Sequence, residues 1–504
     1  MENSFLDSLK REMNYTETEN GAITHKSTLN AVYDLFALGG AYRSRSDEDC
    51  ILLFKKALEE NETLALKCLF YLRDIRGGQG ERRFFRVCFK WLAKEYPELA
   101  FRNLDNIPEY GRWDDLYSVM NTELENDALE IMECQLHKDM NSLMMSPKEG
   151  VSLLAKWLKS ENASALETKQ LGNKTREYLG WNHAKYRKIL SALRTRINIV
   201  EKLMSEGKWE EIEFAKLPSK AGLIYRNAFA HNDLIKDKYE TFINSKETKV
   251  NAGTLYPYDI VKKVTDTLDY WGYTELKPTE REVLNKYWAN QKDYLKGKPC
   301  KMMCVVDTSG SMDSSYGTSV KPIDVAISLG MYCGERIGEP FKNYFISFSS
   351  RPQLIEIEGI DFCDKVKRIY EQNLCENTDL KAVFDMLLDM YTSGRVKAED
   401  MPDQLVVISD MEIDRGSYWR DAYRRHTDME LLHKQWSDAG IKMPSLIYWN
   451  CSARHDNILD DPDNKDVTFV SGCSPVIFQS VITGKSGIQL MLEKLNSDRY
   501  KQVK

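Results

Sequence analysis

Paired cysteines, membrane-length apolar runs and clustered histidines are all missing from this chain. Its 11 cysteines are odd in number and scattered, from Cys50, Cys68, Cys88 and Cys134 to Cys300, Cys304 and beyond, with no C-x-x-C pair. Structural zinc and a disulfide framework are therefore excluded as organising devices, and the thiols read as small core residues. No stretch approaches the roughly eighteen apolar residues of a membrane span. Met1-Glu2-Asn3-Ser4-Phe5 lacks the basic and apolar regions of a signal peptide, so a cytoplasmic protein is expected. The 7 histidines do not gather with Cys or Ser at nucleophilic spacing, and His426 with His433 reads as a solvated pair on one helix. Gly77-Gly78-Gln79-Gly80 follows no strand and precedes no Gly-Lys-Ser/Thr, so an NTPase is not indicated. No enzymatic activity is expected. A net charge of -7 excludes an evenly basic nucleic-acid coat.

What is present is concentrated in one short run. Cys304-Val305-Val306 is an apolar strand, and Asp307-Thr308-Ser309-Gly310-Ser311 follows it directly. Asp307 offers a carboxylate and Ser309 and Ser311 offer neutral hydroxyls, an all-oxygen set suited to a hard cation. These cannot fill an octahedron alone, so later loops must contribute. Thr378 precedes a helical pattern from Leu380, and Leu405–Ile408 is a second buried strand leading to Asp410. Strand-end loops of one parallel sheet converge where such sheets bind ligands. The expected ligands are Asp307, Ser309, Ser311, Thr378 and Asp410, holding one divalent cation: Mg²⁺ foremost, with Mn²⁺ or Ca²⁺ as the other fits. Asp313, Glu412 and Asp414 read as rim charges. This set resembles the metal-ion-dependent adhesion site of a von Willebrand factor A domain in residue type, order and spacing.

At 504 residues the chain exceeds one compact core. Up to about residue 290 the apolar spacing is helical, as in Phe84-Val87-Cys88-Trp91-Leu92, with glycines and prolines at the breaks. Arg73–Arg76 and Arg82-Arg83 flank a glycine turn that reads as a helix end and a new start rather than a phosphate loop. Lys296-Gly297-Lys298-Pro299 marks the boundary. Beyond it, strands near 300–306, 343–348, 405–409 and 444–449 alternate with helices near 322–337, 380–391, 421–439 and 486–496, which implies a mostly parallel, doubly wound sheet. The expected division is a tail over 1–20, an all-α domain of stacked helical pairs over 21–296, and an α/β Rossmann-like domain over 297–504.

Two further segments carry a second resemblance. Leu72-Arg73-Asp74-Ile75-Arg76-Gly77-Gly78-Gln79-Gly80-Glu81-Arg82-Arg83 and Ile107-Pro108-Glu109-Tyr110-Gly111-Arg112-Trp113-Asp114-Asp115-Leu116 resemble the Ro autoantigen (TROVE) ribonucleoproteins and, more closely, a related family found in phages, bacteria and plants. Ser152–Leu158 and Lys185-Tyr186-Arg187-Lys188 extend the resemblance over nearly the whole chain. It implies a ring or horseshoe of HEAT-like helical pairs, closed by the metal domain, that binds non-coding or misfolded RNA, structured or single-stranded. The loop expected to read Gly-Gly-Thr-Asp reads Glu376-Asn377-Thr378-Asp379 here.

One stretch is strongly basic. Lys169, Lys174, Arg176, Lys185, Arg187, Lys188, Arg194 and Arg196 face the single acid Glu177. They read either as phosphate contacts with Tyr178, Trp181 or Tyr186 stacking a base, or as a solvated face over a core seam through Tyr178, Trp181, Tyr186 and Leu190. The expected function is a Ro-like RNA-binding scaffold with a cation site for partner binding. The alternative is a metal-dependent protein-interaction module without RNA, in which an acidic residue of a partner completes the cation's coordination.

Overall fold

In the computed structural model the described residues are 4–145, 150–269, 272–273, 275–297, 301–315, 317–348, 351–372, 377–415 and 427–504. Lys298, Pro299, Cys300, Glu376, His426 and the first part of the helix expected over 421–439 lie outside them.

The N-terminal part is helical. Helices α1 (Ser4–Met13), α2 (Ala31–Leu38), α3 (Asp47–Glu60), α4 (Glu62–Arg73) and α5 (Arg82–Glu95) are followed by α6 (Glu125–Met145), α7 (Leu166–Tyr178), α8 (His183–Arg196), α9 (Pro257–Thr265) and α10 (Pro278–Ala289), with further helices of 3–9 residues between. Local chemistry sets the ends: Ser46 and Asp49 form a capping box ahead of α3, and Asn61 caps α4. Phe84, Phe85, Cys88, Phe89 and Leu92 make the buried stripe of α5. Within the segment expected as a tail, the described residues 4–20 carry a helix and a strand and contact the C-terminal domain. Residues 4–13 are helical, and Tyr15–Glu17 pairs antiparallel with Ile23–His25 in a hairpin that reaches the C-terminal domain through His25 and Ile458.

The resemblance-bearing segments are where the helices lock together. Arg73, almost fully buried at 2% exposure, meets the fully buried Asp115 at 2.6 Å, and Arg86 reaches the same carboxylate at 2.6 Å. Arg112 lies over the Trp157 ring, 3.9 Å from its centroid. Removing one partner of a buried ion pair costs about 3–5 kcal/mol because the other charge is left without compensation. Asp115→Ala is therefore expected to lower the stability measured by urea unfolding by that amount, and an unchanged midpoint would remove the pair from the account of stability.

The C-terminal part carries a six-stranded sheet of β1 (Met302–Asp307), β2 (Tyr344–Phe348), β3 (Gln353–Glu356), β4 (Gln404–Ser409), β5 (Ser445–Asn450) and β6 (Val467–Ser471). The spatial order is β6-β5-β4-β1-β2-β3, parallel throughout except for the antiparallel edge strand β3. Strands β1 and β4 are buried along their whole length, as parallel strands covered on both faces must be. Helix α11 (Pro322–Gly334) packs on β1, β2 and β4. A Cβ at Gly330 would stand 2.6 Å from the Val306 side chain, so glycine is what lets this helix approach β1. Helices α12 (Phe362–Glu371), α13 (Leu380–Thr392), α14 (Asp428–Asp438) and α15 (Gly487–Leu495) complete the domain.

Both ends of the helical part touch this domain. At the first end, the Tyr33 hydroxyl accepts from Phe469 N at 2.8 Å and donates to Phe469 O at 3.4 Å, satisfying backbone groups on the outer edge of β6. At the other end, Trp288 donates to Glu335 at 2.6 Å, Thr265 donates to Asp324 at 3.0 Å and Tyr332 donates to Lys292 O at 2.6 Å. The two ends also meet directly, with Tyr256 donating to Gln79 O at 2.7 Å and Arg43 to Tyr258 at 3.2 Å. The helical part and the sheet domain thus form a closed circuit.

Candidate functional site

Strand order reverses between β1 and β4, and a crevice at the C-terminal ends of the strands forms at such a switch point. Asp307 ends β1 and Asp410 follows β4, so register alone brings two carboxylates to the crevice. Both are fully buried. Asp307 accepts from Ser309 N at 2.9 Å and from the Ser409 hydroxyl at 2.6 Å, while the Ser309 and Ser311 hydroxyls lie 3.1 Å apart. After Asp410 the backbone turns sharply. Met411 has a φ of +65°, a left-handed conformation rare for such a side chain, and Glu412 N donates back to Asp410 at 3.1 Å. Thr378 reaches this turn through Asp414, whose carboxylate accepts from Thr378 N at 2.9 Å and whose N–H donates to Thr378 O at 2.9 Å. All five expected ligand residues therefore belong to one neighbourhood.

Burial sets the electrostatics of the crevice. Burial pushes the Asp307 carboxyl above its ordinary range, with Asp414 adding repulsion against the hydrogen bonds from Ser409 and Ser309. Burial, then the Asp307 charge, push Asp410 up to about 7, opposed by Arg454. Two crowded buried carboxylates with adjacent hydroxyls form a donor set that a hard divalent cation would satisfy. Asp307, Ser309, Ser311, Thr378 and Asp410 are the residues that could hold it.

Several residues of the neighbourhood escape a sequence reading. Ser409 is one, and its only signal is its place beside Asp410 at a strand end. Arg454 is another: it donates to Asp410 at 3.1 Å and also binds Glu19 of the N-terminal hairpin. Glu412 is a correction. Far from being a rim charge, it is fully buried, accepting from Glu19 N at 2.8 Å and facing His455 Nδ1 at 2.8 Å. Glu19, Glu412 and His455 together place ligand-type atoms within 4.8 Å of one another. Asp313 does lie exposed, paired with Lys321 at 2.9 Å. His433 is tied to the buried Asp460 at 2.9 Å.

The basic stretch divides into two groups. Arg194 donates to Ala155 O at 2.8 Å and Leu158 O at 2.9 Å, Arg176 pairs with Glu161 at 3.2 Å, and Lys174 pairs with Glu125 at 2.7 Å. These three hold helices together. Arg196 is half-buried and engaged within the chain. Lys169 and Lys188 are exposed, Lys185 is exposed above the Trp181 ring at 4.5 Å, and Arg187 is exposed 3.6 Å from Glu161. Of the aromatic residues considered for base stacking, Trp181 and Tyr186 are buried beside Leu190, with the Tyr186 hydroxyl donating to Lys159 O at 2.8 Å, while Tyr178 is half-buried against the core. They form the core seam.

A family model described as a domain of unknown function, DUF2828, matches residues 18–148 and 151–298, more than half of the chain. The chain belongs to the DUF2828 family. A second domain of unknown function, DUF7788, matches residues 301–502. Among similar proteins, an uncharacterised protein of Acanthamoeba polyphaga mimivirus is 26% identical, covering 94% of this chain and 85% of its own length. Among solved structures, the Ro (RSR) protein of Deinococcus radiodurans aligns at a TM-score of 0.47 and 14% identity, covering 93% of this DUF2828 chain and 99% of the Ro chain. No helix among the described residues is long and apolar enough to cross a membrane.

Proposed function

We propose that this chain is a cytoplasmic, non-catalytic scaffold of Ro-like type whose helical, HEAT-like part binds non-coding or misfolded RNA. Its strand-end crevice is of the von Willebrand A type and holds one divalent cation, Mg²⁺ foremost. The observation that carries the cation site is the meeting of Asp307, Asp410 and the Thr378 loop at the switch point of the sheet, with both carboxylates buried and pushed up. The RNA reading is supported by the resemblance-bearing segments and by the cations that remain exposed on α7 and α8, namely Lys169, Lys185, Arg187 and Lys188. Such cations contact phosphates without reading sequence.

Reversing these four to Glu is expected to weaken RNA binding on the order of a hundredfold at low salt, and to flatten the salt dependence by about 0.7 in log–log slope for each single-strand phosphate that is no longer neutralised. Reversing Lys397, 78% exposed on the C-terminal domain, is the control and should change neither. RNA recovered with the native protein, and an affinity that falls steeply with salt, support the reading. An affinity indifferent to the four reversals leaves this stretch a solvated face, and a protein that neither carries nor binds RNA leaves the metal-dependent protein-interaction module in its place.

A further inference from the structure

We infer that Arg454 sets the cation affinity of the strand-end crevice and couples it to the N-terminal hairpin. This rests on the reading of Asp307 and Asp410 as cation ligands. Arg454 is only 15% exposed, and its guanidinium stands between two carboxylates from opposite ends of the chain: Asp410, at 3.1 Å, and Glu19 in the hairpin turn. The turn is fixed over the crevice by further bonds. Thr18 donates to Ile413 O at 2.7 Å, Asn20 donates to Glu412 O at 2.8 Å, and Glu19 N donates to the Glu412 carboxylate at 2.8 Å. Every one of these acceptors belongs to residues 412–413, between Asp410 and the Asp414 that holds Thr378. The hairpin and the expected ligands therefore share a single loop.

A guanidinium and a divalent cation compete for the same carboxylate. Without the ion, Arg454 partly neutralises Asp410 and Glu19 together. With an ion at Asp410, like-charge repulsion weakens the Arg454–Asp410 contact and leaves the guanidinium to Glu19, strengthening the tie to the hairpin. Coupling of this kind is reciprocal, so whatever alters the Glu19 contact alters ion affinity. Two substitutions then act in opposite directions. Arg454→Met removes the competing charge and should tighten ion binding, on the order of tenfold for one unit charge a few ångströms away in a partly desolvated site. Glu19→Gln removes the rival anion, leaves Arg454 more firmly on Asp410, and should weaken ion binding several-fold.

The test is calorimetric titration of the full-length protein with Mn²⁺ for wild type and both variants, together with amide hydrogen exchange of residues 15–25 with and without Mn²⁺. Expected are opposite shifts in affinity, and slower exchange in the hairpin when Mn²⁺ is added to wild type but not to Arg454→Met. Wild type that binds Mn²⁺ with both variants matching it overturns the role of Arg454 and leaves the cation site standing. Weaker binding in Arg454→Met also overturns it, since the arginine would then be positioning Asp410 rather than competing for it. Wild type that binds no Mn²⁺ overturns the cation site and this coupling with it. Glu19 is 51% exposed, so Glu19→Gln reports even where Arg454→Met does not fold.

Discussion

Asp307→Asn abolishes the rise in melting temperature that Mg²⁺ or Mn²⁺ gives the wild-type protein while leaving the fold intact: this is the expected result, measured by thermal unfolding with and without the ion. Anything that binds only the native state raises the melting temperature by mass action, so loss of the ligand charge should remove the shift. The amide oxygen still accepts from Ser309 N and its NH2 can donate to the Ser409 hydroxyl, but the negative charge is gone. A pH dependence follows from the same burial. Asp307 and Asp410 are held above the ordinary carboxyl value of about 3.9, so between that value and the folded value the native state binds more protons than the unfolded state. In the ion-free protein each such group lowers stability as pH rises through that window, by up to about 1.4 kcal/mol per pH unit. For Asp410 the window runs up to about pH 7. Protons and the cation compete, so the ion-induced shift should be largest above this pH and fade below it. In Asp307→Asn the fall in ion-free stability with rising pH should be shallower. Equal ion-induced shifts in wild type and variant would sink the assignment of Asp307.

Much of the C-terminal sheet could be read from residues because its central strands are unambiguous. Cys304-Val305-Val306 and Leu405-Val406-Val407-Ile408 are short, largely β-branched runs apolar on consecutive positions, the pattern of strands buried on both faces. The edge strand β3, with Gln353, Leu354 and Glu356 exposed, has no such signature, and its neighbourhood offered no alternation strong enough to mark it. Asp307, Ser309, Ser311 and Asp410 were legible because each lies within a few residues of a strand end, and Thr378 because it directly precedes helix α13. Arg454 and Glu19 were not, because their contact links positions 435 residues apart and exists only after the two ends of the chain are packed together. Alternating aromatic and basic residues over α7 and α8 were compatible with both a stacking surface and a core seam. Helical spacing decided between them: Tyr186, Leu190 and Leu193 fall on one face and are buried, while Lys185, Arg187 and Lys188 fall outside it.

The C-terminal residues supply the other large effect. Asp74, fully buried at the end of α4, accepts from Arg499 Nε at 2.9 Å and Nη2 at 3.0 Å, from the Tyr500 hydroxyl at 3.1 Å and from Arg76 N at 2.9 Å. Tyr110 donates to Arg499 O at 2.6 Å and stacks on Tyr500, so the last turn of the chain is held inside the helical part. Burial acts to raise the Asp74 carboxyl, but the Arg499 hydrogen bonds and charge outweigh it and hold the group below its ordinary value. A depressed carboxyl contributes stability above the unfolded value of about 3.9 and loses it as pH falls through the folded value, so this clasp should be acid-labile. Asp74→Ala leaves the buried Tyr500 hydroxyl without its acceptor and leaves Arg499, 31% exposed, with Glu109 as its remaining carboxylate, at a cost of about 1–3 kcal/mol. Because the helical part grips the C-terminal domain here, at Tyr33 and again at Trp288, the two halves should unfold as one. Scanning calorimetry is expected to give a single transition for wild type, displaced downward by a few degrees in Asp74→Ala at neutral pH and by less as pH falls below about 4. Two independent transitions in wild type would show that the closed circuit does not couple the halves.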